Sequence, residues 1–105
     1  MLDKKKFYIN GNWVLPKNPK EIQVIDPATE KNCAIISLGG AEDINTAVIS
    51  AKKAFKTWGF SSKEERVELL ENLYTLYKKR WTDIAEAITL EMGAPKDFSS
   101  QLQAG

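Results

Sequence analysis

The apolar and polar positions of this 105-residue chain change rhythm near residue 40. Before it, apolar residues come in short, strand-like runs. After it, they recur in steps of three and four. The first run is "FYINGNWV", with Phe7, Tyr8 and Ile9 before Asn10-Gly11 and Trp13 and Val14 after. Asn-Gly suits a tight hairpin turn because both residues tolerate positive φ. The aromatic and β-branched neighbours suit the strands. "LPKNPKE" then breaks regularity at Pro16 and Pro19. In "IQVID", Ile22 and Val24 alternate with polar residues. In "DPATEK", Pro27 fixes φ and Asp26 bonds forward to the backbone, which predicts a turn. "NCAIISL" is the apolar segment that pairs with "IQVID". Residues 7–38 therefore predict two short antiparallel β-hairpins.

Helices follow. Gly39-Gly40 precede "AEDINTAVISAKKAFKTWG", whose apolar residues fall at 44, 47, 48, 51, 54, 55 and 58, one helical stripe. Glu42 and Asp43 sit in its first turn, where the helix dipole favours anions. Gly59 is the expected stop, which predicts a helix over 41–58. The next helix opens at Ser62, with Glu65 three residues on as a capping box. Its stripe runs 67, 70, 74, 77, 81, 84 and 88, and Leu69, Leu73 and Leu76 widen it. Thr82-Asp83 can cap a fresh helix, so a break or kink is expected near Trp81 within 62–92. Gly93 ends the pattern and Pro95 blocks its continuation. "SSQLQAG" starts a further element, 97–105, that is expected to be incomplete. The fold class is α+β: two short hairpins, then two to three amphipathic helices.

Composition narrows function mostly by exclusion. Net charge is +1, so no strong field for nucleic acid or an anionic membrane is expected. The charge is uneven: residues 1–20 hold five lysines against Asp3 alone. Lys4–Lys6 predict a basic, solvated N-terminal tail over 1–6. No apolar run approaches the roughly 20 residues that span a bilayer, and the N-terminus lacks a signal-peptide core. A cytoplasmic chain is the expectation. With no histidine and only Cys33, zinc and most transition-metal sites lack ligands. Ser-His-Asp and Cys-His arrangements lack their base. A reactive Cys33 needs a nearby cation or a helix N-terminus; on a strand it reads as a small hydrophobe. Gly39-Gly40 reads as a helix start, since neither G-x-G-x-x-G nor a P-loop is present. Glu64, Glu65, Glu68 and Glu71 form an acidic run and read as solvated, as do Lys52, Lys53 and Lys56. The three tryptophans fit core or subunit packing, because no basic groove accompanies them for base stacking. From the residues alone, the chain has no self-contained active site.

The ordered motifs say more. "FYINGNWV", "VIDPATEK", "GGAEDINTAVISAKKAFKTWGFSSKEERVELLENL" and "ITLEMGAP" together resemble the N-terminal segment of the NAD(P)-dependent aldehyde dehydrogenase superfamily. The resemblance implies that 7–105 forms the N-terminal portion of a cofactor-binding domain, supplying peripheral hairpins and helices. It also implies a reaction in the full-length family. A cysteine thiolate attacks an aldehyde, hydride passes to nicotinamide, and a glutamate-activated water releases the acid. The catalytic cysteine, glutamate and asparagine and the dinucleotide-binding residues lie downstream of the matched region. Catalytic and cofactor-binding residues are thus expected to be absent here. NAD or NADP belongs to the full-length family, and none is expected bound to this chain. Cys33 occupies a position the family usually gives to an apolar residue. The resemblance further implies a monovalent-cation site using the backbone carbonyls of Val24 and Ile25.

Two accounts of the chain follow. In the first it is an N-terminal fragment of such an enzyme, as the abrupt end after "QLQAG" suggests. In the second it is a non-enzymatic interaction module built on its long helices. Both leave apolar stripes unpartnered, and such patches favour association. A homo-oligomer through the Val67–Ile88 stripe is expected, with helix exchange as one route and with no nucleic-acid or membrane partner.

Overall fold

The computed structural model describes residues 1–105. The chain forms strands β1 (Leu2–Lys4), β2 (Phe7–Ile9), β3 (Asn12–Val14), β4 (Lys20–Asp26) and β5 (Lys31–Leu38). Helices α1 (Ala41–Trp58), α2 (Lys63–Lys79), α3 (Trp81–Met92) and α4 (Lys96–Phe98) follow, then a π-helical turn, Ser99–Gln103. The α+β class holds. Two compact units divide the chain: Met1–Val24 with Asn32–Ser61, and Ile25–Lys31 with Ser62–Gly105.

In the first unit β2 and β3 pair antiparallel, Phe7 with Val14, Tyr8 with Trp13 and Ile9 with Asn12. Asn10 (φ 53°) and Gly11 (φ 78°) both lie in the left-handed region, as the Asn-Gly turn predicts. The rings of Tyr8 and Trp13 stand 5.3 Å apart across the strands. Strand order in the second sheet is β1-β5-β4. β4 and β5 are joined by four residues, a link too short for a parallel crossover, so they form the expected second hairpin.

The N-terminal residues differ from the expected solvated tail. Leu2, Asp3 and Lys4 pair in parallel with Ala34, Ile35 and Ile36 of β5. Their side chains are exposed, as a lysine run predicts, but their backbone completes the sheet. The edge of β5 offers unpaired N–H and C=O groups, and composition does not report who takes them. Lys5 Nζ also lies 3.3 Å from both Asp3 Oδ2 and Glu21 Oε1.

α1 runs as predicted. Gly59 ends it, as expected, in a right-handed conformation (φ −59°). The last carbonyls are satisfied by tightening: Phe60 N–H donates to Thr57 O (3.1 Å) and Ser61 N–H to Trp58 O (3.0 Å).

In the second unit the Ser62–Glu65 capping box closes both ways. Glu65 N–H donates to Ser62 Oγ (3.1 Å) and Ser62 N–H to Glu65 Oε2 (2.7 Å). The expected break falls at Arg80 (φ −108°, ψ 10°), so 62–92 is two helices. Gly93 caps α3 in the left-handed region, φ 70°. The C-terminal element departs from the incomplete one expected over 97–105. It turns helical at Lys96 and packs back on its own unit. Trp81 Nε1 donates to Ser100 O (2.8 Å), Tyr77 Oη to Ala104 O (2.6 Å) and Thr89 Oγ1 to Ser99 Oγ (2.9 Å). Ser99 and Ala104 are buried there. The buried apolar core is otherwise small, Pro16, Ala34 and Ala85 besides Ala104, and α2 buries no residue at all.

Candidate functional site

Two segments singled out by the sequence meet in the second unit. The Asp26 carboxylate accepts from Ala28 N–H (2.8 Å) and Thr29 Oγ1 (3.1 Å). Its carbonyl accepts from Glu30 N–H (2.8 Å). This Asx-type turn presents Pro27 outward to Gly93: a Cβ built on Gly93 falls 2.9 Å from Pro27 Cγ. The "DPAT" and "EMGAP" motifs are therefore one joint, although nothing local in the sequence links them. Beside it lies a cavity of about 240 Å³ lined by Asp26, Ala28, Glu86, Thr89, Leu90 and Lys96.

No cluster of His, Cys, Asp or Glu able to hold a metal ion is present. Cys33 is half-buried in β5, and its thiol donates to Val24 O at 3.4 Å. Val24 and Ile25 are consecutive in β4. Carbonyls of consecutive residues in an extended strand point to opposite sides, and the Val24 carbonyl already takes the Cys33 thiol. Glu64, Glu65, Glu68 and Glu71 are exposed, as are Lys52, Lys53 and Lys56.

The side chain that organises the first unit is Asp43, which sequence reasoning took only for a charge near a helix dipole. Its carboxylate is buried; it accepts from Gly40 N–H (2.9 Å) and Lys17 N–H (3.0 Å). One residue thus caps α1 and ties down the loop after β3. The Gly40-x-x-Asp43 spacing, a capping-box interval, was the available signal. The Gly40 amide, then the Lys17 amide, hold the Asp43 carboxyl below the ordinary aspartate range. The Ser62 amide and hydroxyl lower Glu65 likewise.

A depressed folded-state pKa stabilises fully above the unfolded value, and that stability is lost as pH falls through the folded one. Acid unfolding, followed by tryptophan fluorescence, is expected to set in below about pH 4. Asp43→Asn keeps one acceptor and removes the charge. The variant should be less stable at neutral pH and show a shallower acid limb. An unaltered acid limb would remove Asp43 as its cause.

Family and structural comparisons decide what this scaffold is. The model of the aldehyde dehydrogenase family matches residues 13–104. The chain belongs to the aldehyde dehydrogenase family. Among its relatives, a 3-succinoylsemialdehyde-pyridine dehydrogenase from a Pseudomonas species is 48% identical over 95 residues, covering 90% of this chain and 20% of the relative. The crystal structure of an aldehyde dehydrogenase from Bartonella henselae superposes with a TM-score of 0.97 at 48% identity, covering 99% of this chain and 22% of that one. A variant of aldehyde dehydrogenase C from Pseudomonas syringae, complexed with NAD+ and octanal, matches with a TM-score of 0.93 at 38% identity, covering 95% of this chain and 21% of that one. The chain thus spans about a fifth of the length of these aldehyde dehydrogenases, and it corresponds to the N-terminal segment of the family. The Pro27–Gly93 joint lies within the matched residues. No helix is long and apolar enough to cross a membrane.

Proposed function

We propose that residues 7–105 form the N-terminal portion of the cofactor-binding domain of an NAD(P)-dependent aldehyde dehydrogenase acting in the cytoplasm. In the complete enzyme an aldehyde is oxidised to a carboxylic acid: the carbonyl carbon gives hydride to the nicotinamide and gains oxygen from water, with release of protons. This segment contributes scaffold. Its hairpins and helices support a site whose nucleophile, base and dinucleotide contacts come from elsewhere. What carries the proposal is the near-complete superposition of this chain on part of a solved aldehyde dehydrogenase.

Two measurements test it. Calorimetry with NAD+ and NADP+ should register no stoichiometric binding to the chain. Grafting residues 7–105 in place of the matching segment of the Pseudomonas relative should preserve aldehyde-dependent NADH formation. Stoichiometric dinucleotide binding by this chain, or a folded graft without activity, would sink the assignment.

A second reading is supported by one observation: α2 buries none of its 17 residues. On that ground the chain by itself associates with further copies through the Val67–Ile88 stripe, without nucleic-acid or membrane partners. The stripe divides in two. Tyr77, Trp81, Ile84 and Ile88 are half-buried within the second unit, whereas Val67, Leu70 and Tyr74 are exposed.

A further inference from the structure

We infer that β1 is an ionically fastened strap: Lys5 holds it on β5 by reaching across the sheet to Glu21, and rising ionic strength releases it.

The backbone holds β1 weakly. The strand is three residues long, and Leu2, Asp3 and Lys4 pair in parallel with Ala34, Ile35 and Ile36. Parallel pairing is slightly less stable per residue than antiparallel pairing. No side chain of β1 is buried, and Leu2, its one apolar residue, is 50% exposed. Burial therefore adds little, and small polar contributions decide how often the strand opens.

Lys5 supplies such a contribution. Strand order is β1-β5-β4, so Glu21 of β4 lies beyond the middle strand from β1. The Lys5 ammonium stands 3.3 Å from Glu21 Oε1 and 3.3 Å from Asp3 Oδ2. The contact with Asp3 stays inside the N-terminal segment, where Lys5 N–H also donates to Asp3 Oδ1 at 3.3 Å. It shapes the end of the strand and fastens it to nothing. The contact with Glu21 joins the two outer strands over β5, so it is lost when β1 leaves the sheet. The Lys5 side chain is 31% exposed and that of Glu21 46%, which leaves the pair open to screening by salt.

The remaining lysines do not help. Lys4 and Lys6 have no acid within ion-pair distance, and Lys20 adjoins Glu21 in β4. Once the Glu21 pair is screened, no ion pair ties the segment to the sheet. Its release leaves the β5 edge with unpaired N–H and C=O groups.

Amide hydrogen exchange of the full chain, followed residue by residue by NMR, tests the strap. At about 10 mM salt, where the Debye length is about 30 Å, the amides bonded between β1 and β5 should be protected. Raising salt to about 1 M shortens that length to about 3 Å and should speed their exchange about two- to fivefold. Amides bonded between β2 and β3, which carry no ion pair, should not respond. Glu21→Gln should give the same increase at low salt and remove most of the salt response. Glu71→Gln takes the same charge from α2 and should change neither. Exchange between β1 and β5 that ignores both salt and Glu21→Gln would overturn the strap, as would a β1 unprotected at low salt. An increase shared by β2 and β3, or reproduced by Glu71→Gln, would mark general loosening and overturn it equally.

Discussion

Gly93→Val is expected to destabilise the second unit by about 2–4 kcal/mol, the sum of two separate penalties. The first is conformational. Gly93 has φ 70°, where it ends α3 and donates its N–H to Thr89 O at 2.9 Å. A side chain there costs about 1–2 kcal/mol, and a β-branched one sits at the upper end. The second is steric. The new Cβ would stand 2.9 Å from Pro27 Cγ, so the turn or the helix end must shift. Two further variants separate the penalties. Gly93→Asn tolerates the left-handed region and retains mainly the steric cost. Gly93→Val with Pro27→Ala relieves the contact and retains the conformational one. Chemical denaturation followed through Trp81 reads all three. A Gly93→Val protein within about 0.5 kcal/mol of the parent would mean that neither constraint operates.

The same glycine marks how far the sequence could be read. Helix ends, the Asn10-Gly11 turn, the Ser62–Glu65 box and the break beside Trp81 were legible because each depends on residues within four of one another. Gly93 was legible as a stop for the same reason. Its contact with Pro27, 66 residues earlier, was not, since no local period encodes it. β1 was misread on similar grounds. Its lysines describe where side chains go, while its pairing with Ala34–Ile36 is a backbone matter. Asp43 was half-read: its charge near a helix start was visible, but its second acceptor role, for Lys17 N–H, joins residues 26 apart.

Composition speaks to chemistry in a different way. The lack of histidine removes Ser-His-Asp and Cys-His arrangements within these 105 residues on composition alone. The apolar stripes predicted by periodicity are largely uncovered within the chain. Ile44 and Phe55 of α1 are 61% and 70% exposed, so the periodicity reported amphipathicity and not burial within these 105 residues. Periodicity measures which face is apolar; it cannot say what covers it. That distinction places the functional information of the chain in its motifs, not in its stripes.

Trp81→Ala is the second large effect expected, about 2 kcal/mol, roughly half of what a fully buried tryptophan loses because this one is half-buried. The indole holds the C-terminal helical segment in place. Its Nε1–H donates to Ser100 O at 2.8 Å, and its ring lies 6.4 Å from that of Tyr77, whose hydroxyl reaches Ala104 O. Removing it takes away both the donor and the surface on which residues 99–104 rest. Hydrogen exchange should therefore rise first at the amides of Ser99 and Ala104, which donate to Pro95 O and Ser99 O. Trp81→Phe keeps a ring and loses only the donor, at a cost of about 1 kcal/mol. Its exchange pattern should fall between those of the parent and the alanine variant. If Trp81→Ala leaves protection at Ser99 and Ala104 intact, the segment is held by the Thr89–Ser99 contact and burial of Ala104 alone. The order of the three proteins thus tells an anchoring tryptophan from one that merely lies alongside.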